Sequence, residues 1–439
     1  MKQINIGLVG VGTVGGGVVK LLSQELEFLR NDLGIPITLK RIADKVTSRF
    51  AELPVGNAIC TGNAQDIIND EEIDVVIELV GGMTFAKDLI VSALSKGKHV
   101  ITANKALIAE QGPAIFELAD KNGVSLQFEA AVGGGMPVIK TIREALVGNE
   151  ITSVKTIING TCNYILTEMT QKGQLFDAVL KNAQRNGYAE TDPTLDIGGG
   201  DSGHKVAIMA SLIYNGYVPF EKIYIEGITE ITKEDIEFAA ELGYTIKLLG
   251  IINKAPDDDR IDVRVHPTML HNKHILASVS DVFNAVLLDG NAVGPILLYG
   301  RGAGELPTAS SVLSDIVDVA LNIASGAPRR IPMRYYRHDN ELSIKPIDEV
   351  ETRYYLCFWV ADKPKVLASI AALLGEYSIS IASVLQKESR EESCVPVIML
   401  THKVLEKNIR AALTAIEKMD YVKKKTRLIR ISEEPNVKK

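Results

Sequence analysis

The chain has 439 residues, a formal net charge of −7, a sequence pI near 5.7, 46% hydrophobic and 23% charged residues. That length allows two or three domains, and the acidic balance gives no electrostatic reason to expect nucleic acid or an acidic membrane as a partner. Cys60, Cys162, Cys357 and Cys394 lie far apart without C-x-x-C spacing, and no apolar run reaches membrane-spanning length, so neither a zinc site nor a disulfide framework is implied and a reduced, cytoplasmic protein is expected.

The first predicted strand is Ile4–Val9, followed by Gly10-Val11-Gly12-Thr13-Val14-Gly15 and a helical pattern carrying Val18, Val19, Leu21 and Leu22. G-x-G-x-x-G between a strand and a helix lets a dinucleotide pyrophosphate approach backbone N–H groups at a helix N-terminus. Gly10, Gly12, Thr13, Val14 and Gly15 are therefore the expected cofactor cradle. Strands follow at 37–42, 75–79, 99–102 and 124–128, with helices at 85–94 and 106–118. The alternation predicts an α/β fold with a doubly wound parallel sheet of Rossmann type, whose ligands lie beyond the strands' carboxyl ends. Asn104 and Lys105 fall at such an end. Asp44 after the second strand suits the ribose hydroxyls of NAD, whereas Arg41, Lys45 and Arg49 suit the phosphate of NADP, which is slightly preferred, with Lys45 as its contact.

In the middle of the chain, Gly133-Gly134-Gly135-Met136-Pro137 reads as a turn from strand to helix. The segment 187–205, GYAETDPTLDIGGGDSGHK, gathers carboxylates and a lysine around a glycine-flanked turn, as a small polar ligand requires. Asp201 or Ser202 is expected to cap the next helix, with Asp201 and Lys205 four residues apart on one face. His204 should point about 100 degrees away from Lys205 on that helix. The bland readings are a solvated Lys105, a simple Asp201–Lys205 pair, and Glu190 and Asp192 as turn formers beside Pro193. Cys162 has no sequence-adjacent base and is not expected to be a nucleophile, and His271 and His274 read as surface residues rather than metal ligands. Gly300-Arg301-Gly302-Ala303-Gly304 precedes a helix starting near Pro307 and forms a second entrance lined by backbone donors.

After a helix ending near Ser325, residues 326–351 read as a connection. Strands at 354–360, 379–385, 395–400 and 428–431, with helices at 366–374 and 409–419, give the order βαββαβ of a small ferredoxin-like module.

The blocks GVGTVGGGV, ITANKALI, FEAAVGGGMP, INGTCNYIL, YAETDPTLDIGGGDSGHK and YGRGAGELPTASSVLSD, in this order over about residues 4–318, resemble homoserine dehydrogenase. The segment VADKPKVLASIAALLGEYSISIASVLQ resembles an ACT domain, the amino-acid-sensing module attached to many of those enzymes. The resemblance implies reversible NAD(P)H-dependent reduction of L-aspartate 4-semialdehyde to L-homoserine, a step toward threonine and methionine. It makes Lys205 the proton donor and Lys105 a second active-site lysine that also meets the cofactor. Glu190 would bind the substrate ammonium, with Asp201 and Asp196 as further acids of the site. Gly302 would lie near the nicotinamide, and the block 159–164 would line the substrate cavity. Glu129 with the backbone carbonyls of Val132, Gly134 and Met136 would hold a monovalent cation such as sodium or potassium. The implied layout is a cofactor domain over 1–135 completed by 300–325, a mixed α/β catalytic and dimerisation domain over 136–325, a linker over 326–351 and an ACT domain over 352–439. A homodimer or homotetramer and a threonine effector are implied too, although Lys365 stands where the family usually has glycine and could obstruct the effector site; a purely structural role in assembly competes. The rivals are another NAD(P)-dependent amino-acid dehydrogenase and a non-catalytic, nucleotide-gated amino-acid sensor.

Overall fold

Buried apolar strands alternate with helices through the first third of the chain: β1 (Ile4–Val9), α1 (Thr13–Leu33), β2 (Ile37–Ala43), β3 (Ile59–Thr61), α2 (Gln65–Ile68), β4 (Val75–Glu78), α3 (Phe85–Ser95), β5 (His99–Thr102), α4 (Lys105–Lys121) and β6 (Leu126–Gln127). The computed structural model describes residues 3–432 apart from 35, 256–257, 328–329, 331–340 and 387–393, so much of the expected connection lies outside the described residues. The six strands form a parallel sheet in the order β3-β2-β1-β4-β5-β6. The order reverses between β1 and β4, which opens a crevice beyond their carboxyl ends. β4 and β5 are buried at every position, as strands covered by helices on both faces must be.

The strand expected over 124–128 contracts to two residues. Phe128 leaves the extended region (φ −155°, ψ 33°) and the chain turns at once through Glu129–Ala131. The helix expected after Pro137 is a single turn, α5 (Val138–Lys140), that widens into a π-type turn over Thr141–Ala145.

The middle third adds β7 (Ile151–Ile157), α6 (Gly160–Lys172), α7 (Phe176–Arg185), α8 (Thr194–Ile197), α9 (Gly200–Tyr214), β8 (Tyr224–Ile225), α10 (Lys233–Glu241), β9 (Tyr244–Lys254), β10 (Ile261–His271), β11 (Phe283–Gly290), β12 (Gly294–Arg301) and α11 (Glu305–Ala324). α11 returns to the first sheet and lies along α1. A Cβ on Gly17 would sit 2.8 Å from the Glu305 carbonyl oxygen, and Lys20 Nζ pairs with Glu305 at 2.6 Å. Val18 and Val19 of α1 and Ile316 and Val319 of α11 bury the same face of the sheet with Ile4, Ile6 and Leu8.

The last unit comprises β13 (Glu351–Val360), α12 (Val366–Glu376), β14 (Ile381–Gln386), β15 (Val395–Thr401), the short β16 (Val404–Leu405), α13 (Glu406–Ile416) and β17 (Arg427–Ile431). This is the expected βαββαβ order with one extra two-residue strand. Its sheet does not stand alone. β17 pairs in parallel with β10 (Thr268↔Arg430, Met269↔Ile431), giving one continuous sheet in the order β12-β11-β7-β9-β10-β17-β13-β15-β14.

His274 departs from the surface reading: it is 6% exposed, and its Nδ1 accepts from the Leu276 amide at 3.1 Å, capping the turn Ile275–Ser278. Among the described residues no group of three or more His, Cys, Asp and Glu is arranged to hold a metal ion, and no helix is long and apolar enough to cross a membrane.

Candidate active site

The glycine turn after β1 has the shape that a phosphate cradle needs. Gly10 takes φ 93°, where a Cβ would lie 2.8 Å from the Leu79 carbonyl, and a Cβ on Gly15 would lie 1.9 Å from the Gly10 oxygen. Gly12 is the opposite case: a Cβ there meets nothing within 4 Å, so the backbone is open to a ligand in front of Thr13 and Val14 at the start of α1. Asp44 braces this turn, accepting from the Val11 and Val46 amides at 2.7 Å each. Burial alone would raise its carboxyl, but those amides and Arg49 outweigh burial and hold it below the ordinary value.

The three basic candidates for the cofactor phosphate separate. Arg41 is committed to Asp70 at 2.6 Å, Arg49 lies 3.4 Å from Asp44, and Lys45 stands over the Phe85 ring at 5.2 Å. One residue escaped the sequence reading. Glu78, fully buried at the end of β4, accepts from the Val80 and Gly81 amides at 2.8 Å each and from Thr102 Oγ1 at 2.7 Å, fixing the loop beside the crevice. An acid ending an otherwise apolar strand is the only sequence signal it leaves.

Lys105 is the first residue of α4, directly past the carboxyl end of β5. Asn104 caps that helix by accepting from the Leu107 amide, and its Nδ2 donates to the Gly82 carbonyl at 2.7 Å. Lys205 comes from the first turns of α9. The expectation that Asp201 or Ser202 caps α9 is overturned, because Gly199 takes the cap position with φ 87° and no side chain caps the helix. The Asp201 carboxylate is spent on lysines instead. Its Oδ2 lies 2.7 Å from Lys205 Nζ and its Oδ1 3.2 Å from Lys105 Nζ, and Lys205 also donates to the Ile158 carbonyl at 2.8 Å.

Asn159 ties the second acid to this centre, donating from Nδ2 to Asp201 Oδ2 at 2.9 Å and to Asp196 Oδ1 at 2.8 Å. Its Oδ1 caps α6 by accepting from the Cys162 amide at 2.8 Å, so one side chain serves both helix and site. An asparagine opening a helix announces the cap, but its bridging role needs the fold. Burial would raise the Asp201 carboxyl, yet Lys205, Lys105 and Asn159 hold it well below the usual range. At Asp196 the outcome reverses: burial and the neighbouring Asp201 charge keep the carboxyl above its ordinary value despite Asn159 and the lysines.

Lys105, Lys205, Asp201 and Asp196 thus converge as expected. Glu190 is not drawn in. Its side chain is exposed and makes no hydrogen bond or ion pair among the described residues, while its carbonyl accepts from Gln184 at 3.1 Å. The loop carrying it is anchored at the centre by Thr161 Oγ1, which donates to the Tyr188 carbonyl at 2.6 Å. His204 points away, 2.9 Å from Glu110 and stacked on Phe220 at 4.2 Å. Cys162 is buried beside the acids, and burial followed by the Asp196 and Asp201 charges pushes its thiol well above the ordinary value, which disfavours the thiolate. Beneath the block 159–164, buried Lys247 donates to Asn163 Oδ1 at 3.1 Å and to the Val279 carbonyl at 2.6 Å, another residue the sequence reading missed.

The loop expected to hold a cation packs against the turn at Gly302 and the start of α11. Gly134 packs so tightly on Gly302 that a Cβ there would lie 2.4 Å from the Gly302 carbonyl. Both carboxylate oxygens of Glu129 accept backbone amides, from Ile139 and Lys140 at 2.8 Å each. The carbonyls of Gly134 and Met136 accept from Ser311 Oγ at 2.6 Å and the Val138 amide at 2.8 Å. Each of these carbonyl and carboxylate oxygens keeps a further lone pair, so the donor set suits a hard cation.

Three family models match the chain: "Homoserine dehydrogenase, NAD binding domain" over residues 10–129, "Homoserine dehydrogenase" over 137–317 and "ACT domain" over 354–420. The homoserine dehydrogenase of Neisseria gonorrhoeae is 42% identical, covering 98% of this chain and 99% of that one, and that of Pseudomonas aeruginosa is 43% identical, covering 96% and 97%. The crystal structure of a homoserine dehydrogenase from Thiobacillus denitrificans superposes with a TM-score of 0.92 at 44% identity, covering 98% of this chain and 99% of that one. A hyperthermophilic archaeal homoserine dehydrogenase mutant in complex with NADPH matches with a TM-score of 0.62 at 25% identity, covering 73% and 98%.

Proposed function

The chain belongs to the homoserine dehydrogenase family, and from that premise we propose how its residues interconvert L-homoserine and L-aspartate 4-semialdehyde. A bound nicotinamide cofactor supplies or takes up the hydride. Lys205 delivers a proton to the substrate oxygen during aldehyde reduction and removes it during alcohol oxidation. Lys105 stabilises the charge developing on that oxygen, and Asp201 holds the two ammonium groups on one carboxylate. The observation that carries this reading is the shared carboxylate: Lys205 and Lys105 approach its two oxygens at 2.7 and 3.2 Å. Asp196 serves the substrate's polar groups at this centre, and Glu190, on the exposed loop beside it, takes the substrate's ammonium.

Lys205→Ala tests the assignment. Steady-state assay at 340 nm should lose roughly 100-fold or more in kcat, with NADPH affinity by fluorescence within about twofold of the parent. Turnover near the parent level would defeat it. Glu190→Ala should instead raise KM for homoserine about tenfold, as loss of one charge-assisted contact does.

The glycine turn, Lys105 and Gly302 serve the cofactor, and Lys45 with Arg49 favours NADP over NAD, which the same assay run with each cofactor decides. A monovalent cation held by Glu129 and the main-chain oxygens of Val132, Gly134 and Met136 should appear as higher thermal stability in potassium or sodium than in choline chloride. The domain layout is 1–135 with 300–325 for the cofactor, 136–325 for the substrate and 352–439 for regulation. In solution we expect a homodimer or homotetramer, read by light scattering, and a cytoplasmic location. Threonine as effector is tested by inhibition of the parent and of Lys365→Gly, since Lys365 holds φ 76° at the turn opening α12.

A further inference from the structure

β8 and β17 share one edge of β10, end to end. Tyr224 and Ile225 pair with Arg264 and Val265, and farther along the same strand Arg430 pairs with Thr268. The gap between them holds Pro267, which has no N–H to offer a partner strand. Side chains close that gap. Arg430 of the C-terminal module, buried, donates from Nη1 to Glu226 at 2.8 Å, from Nη2 to the Tyr224 hydroxyl at 3.1 Å and from Nε to Glu406 of α13 at 2.9 Å. The Tyr224 hydroxyl in turn donates to Glu226 at 2.7 Å.

Just past Glu226, the chain is pressed on the entrance to the catalytic helix. A Cβ on Gly227 would lie 2.1 Å from the Ile197 oxygen and 2.6 Å from the Gly198 Cα, and the Ile228 amide donates to that same Ile197 carbonyl at 2.8 Å. Gly199 faces Ile225 and the Glu226 carbonyl, and a Cβ on Gly203 would lie 2.5 Å from Ile225. Ile197 to Gly200 is the segment between Asp196 and Asp201. A shift of the 225–228 leg therefore moves both acids relative to Asn159, Lys105 and Lys205, and a misplacement of about 1 Å at such a centre is enough to cost turnover heavily.

We propose that Glu226, held by Arg430 across the seam between the C-terminal module and the substrate domain, is a positioning residue that sets the Asp196–Asp201 spacing and couples the module to catalysis. The proposal rests on the catalytic roles assigned to Lys205, Lys105 and Asp201. Neither Glu226 nor Arg430 touches substrate; both act through the backbone of Gly227 and Ile228. The fork geometry explains why arginine is needed, since one guanidinium meets Glu226, Tyr224 and Glu406 together while a lysine ammonium of the same charge cannot span them.

The test uses the full-length enzyme. Glu226→Gln keeps the shape and removes the charge, Arg430→Lys keeps the charge and removes the fork, and the double variant combines them. Arg427→Gln is the control, because Arg427 lies on the same seam but pairs with Glu230 and Asp235 at 3.0 and 3.4 Å. We expect Glu226→Gln and Arg430→Lys to remain folded by circular dichroism, to bind NADPH with parent affinity and to lose about tenfold in kcat. The double variant should be no worse than the poorer single, and Arg427→Gln should keep parent kcat. Parent kcat in Glu226→Gln, multiplying losses in the double variant, or an equal loss in Arg427→Gln would each overturn the proposal. Asp201→Asn, measured alongside, separates the two readings. Retained turnover there sinks the site itself, whereas its loss beside an unaffected Glu226→Gln sinks the coupling alone.

Discussion

Lys247 shows how a buried side chain outside the lysine–carboxylate cluster can carry a cost. It is 2% exposed, and burial lowers its ammonium from the ordinary 10.5 to about 8 with only Asp281 opposing. A depressed folded pKa means that the unfolded chain binds more protons between about pH 8 and 10.5, so this lysine's contribution to stability rises with pH across that window and is lost as pH falls through about 8. The penalty below the window is about 3 kcal/mol at most. Urea unfolding of Lys247→Met at pH 7.5 and 10 should lack the relative gain at high pH that the parent shows. A second residue bears strain in its backbone. Lys365 holds φ 76° with an exposed side chain, and its carbonyl accepts from the Ser369 amide at 2.9 Å. A left-handed conformation is disfavoured for any residue with a Cβ, so Lys365→Gly should stabilise the fold by about 1 kcal/mol in denaturant titration.

At the scale of elements, the glycine turns decide where helices can touch. Gly15 lies so close to the Gly10 carbonyl that any side chain must displace the start of α1. Gly15→Ala should therefore abolish nucleotide binding measured by NADPH fluorescence while Gly12→Ala, whose Cβ meets no protein atom, weakens it only by crowding the ligand. The G-x-G-x-x-G spacing makes this turn legible because the motif's chemistry is local. The helix start at α9 is not legible in the same way. Asp201 has the side chain of a cap, but its carboxylate is taken by Lys205 on the same helix and by Lys105 and Asn159 from distant parts of the chain, which no capping rule anticipates.

For the whole molecule, the shared sheet joins what sequence periodicity separates. One apolar cluster runs from Val76 and Val100 of the first sheet through Ile252 and Met269 to Tyr355, Ile429 and Ile431 of the C-terminal module. Tyr355 and Arg427 also reach Asp235 of α10, at 3.3 and 3.4 Å. The module should not melt as a separate lobe. Trp359, the single tryptophan, lies in β13 and reports on that module, so its fluorescence should lose its native signal at the same temperature as far-UV ellipticity. An earlier transition at Trp359 would mean that the seam is weaker than its buried contacts imply.

The sequence by itself determined the elements whose code is short-range: the alternation of strands and helices in the first third, the glycine cradle, the βαββαβ order at the end, and the residue types of the site. Lys105 is legible at its strand end because the apolar run before it is unmistakable. The tertiary structure decided what depends on distant partners. Asn159 bridging two carboxylates, Glu78 gripping a loop, Arg41 spent on Asp70, and β17 completing the edge of β10 all depend on neighbours that the fold supplies. Periodicity and capping rules read interactions within a few residues. Charge pairing and strand adjacency are settled only when packing fixes which buried groups must satisfy one another.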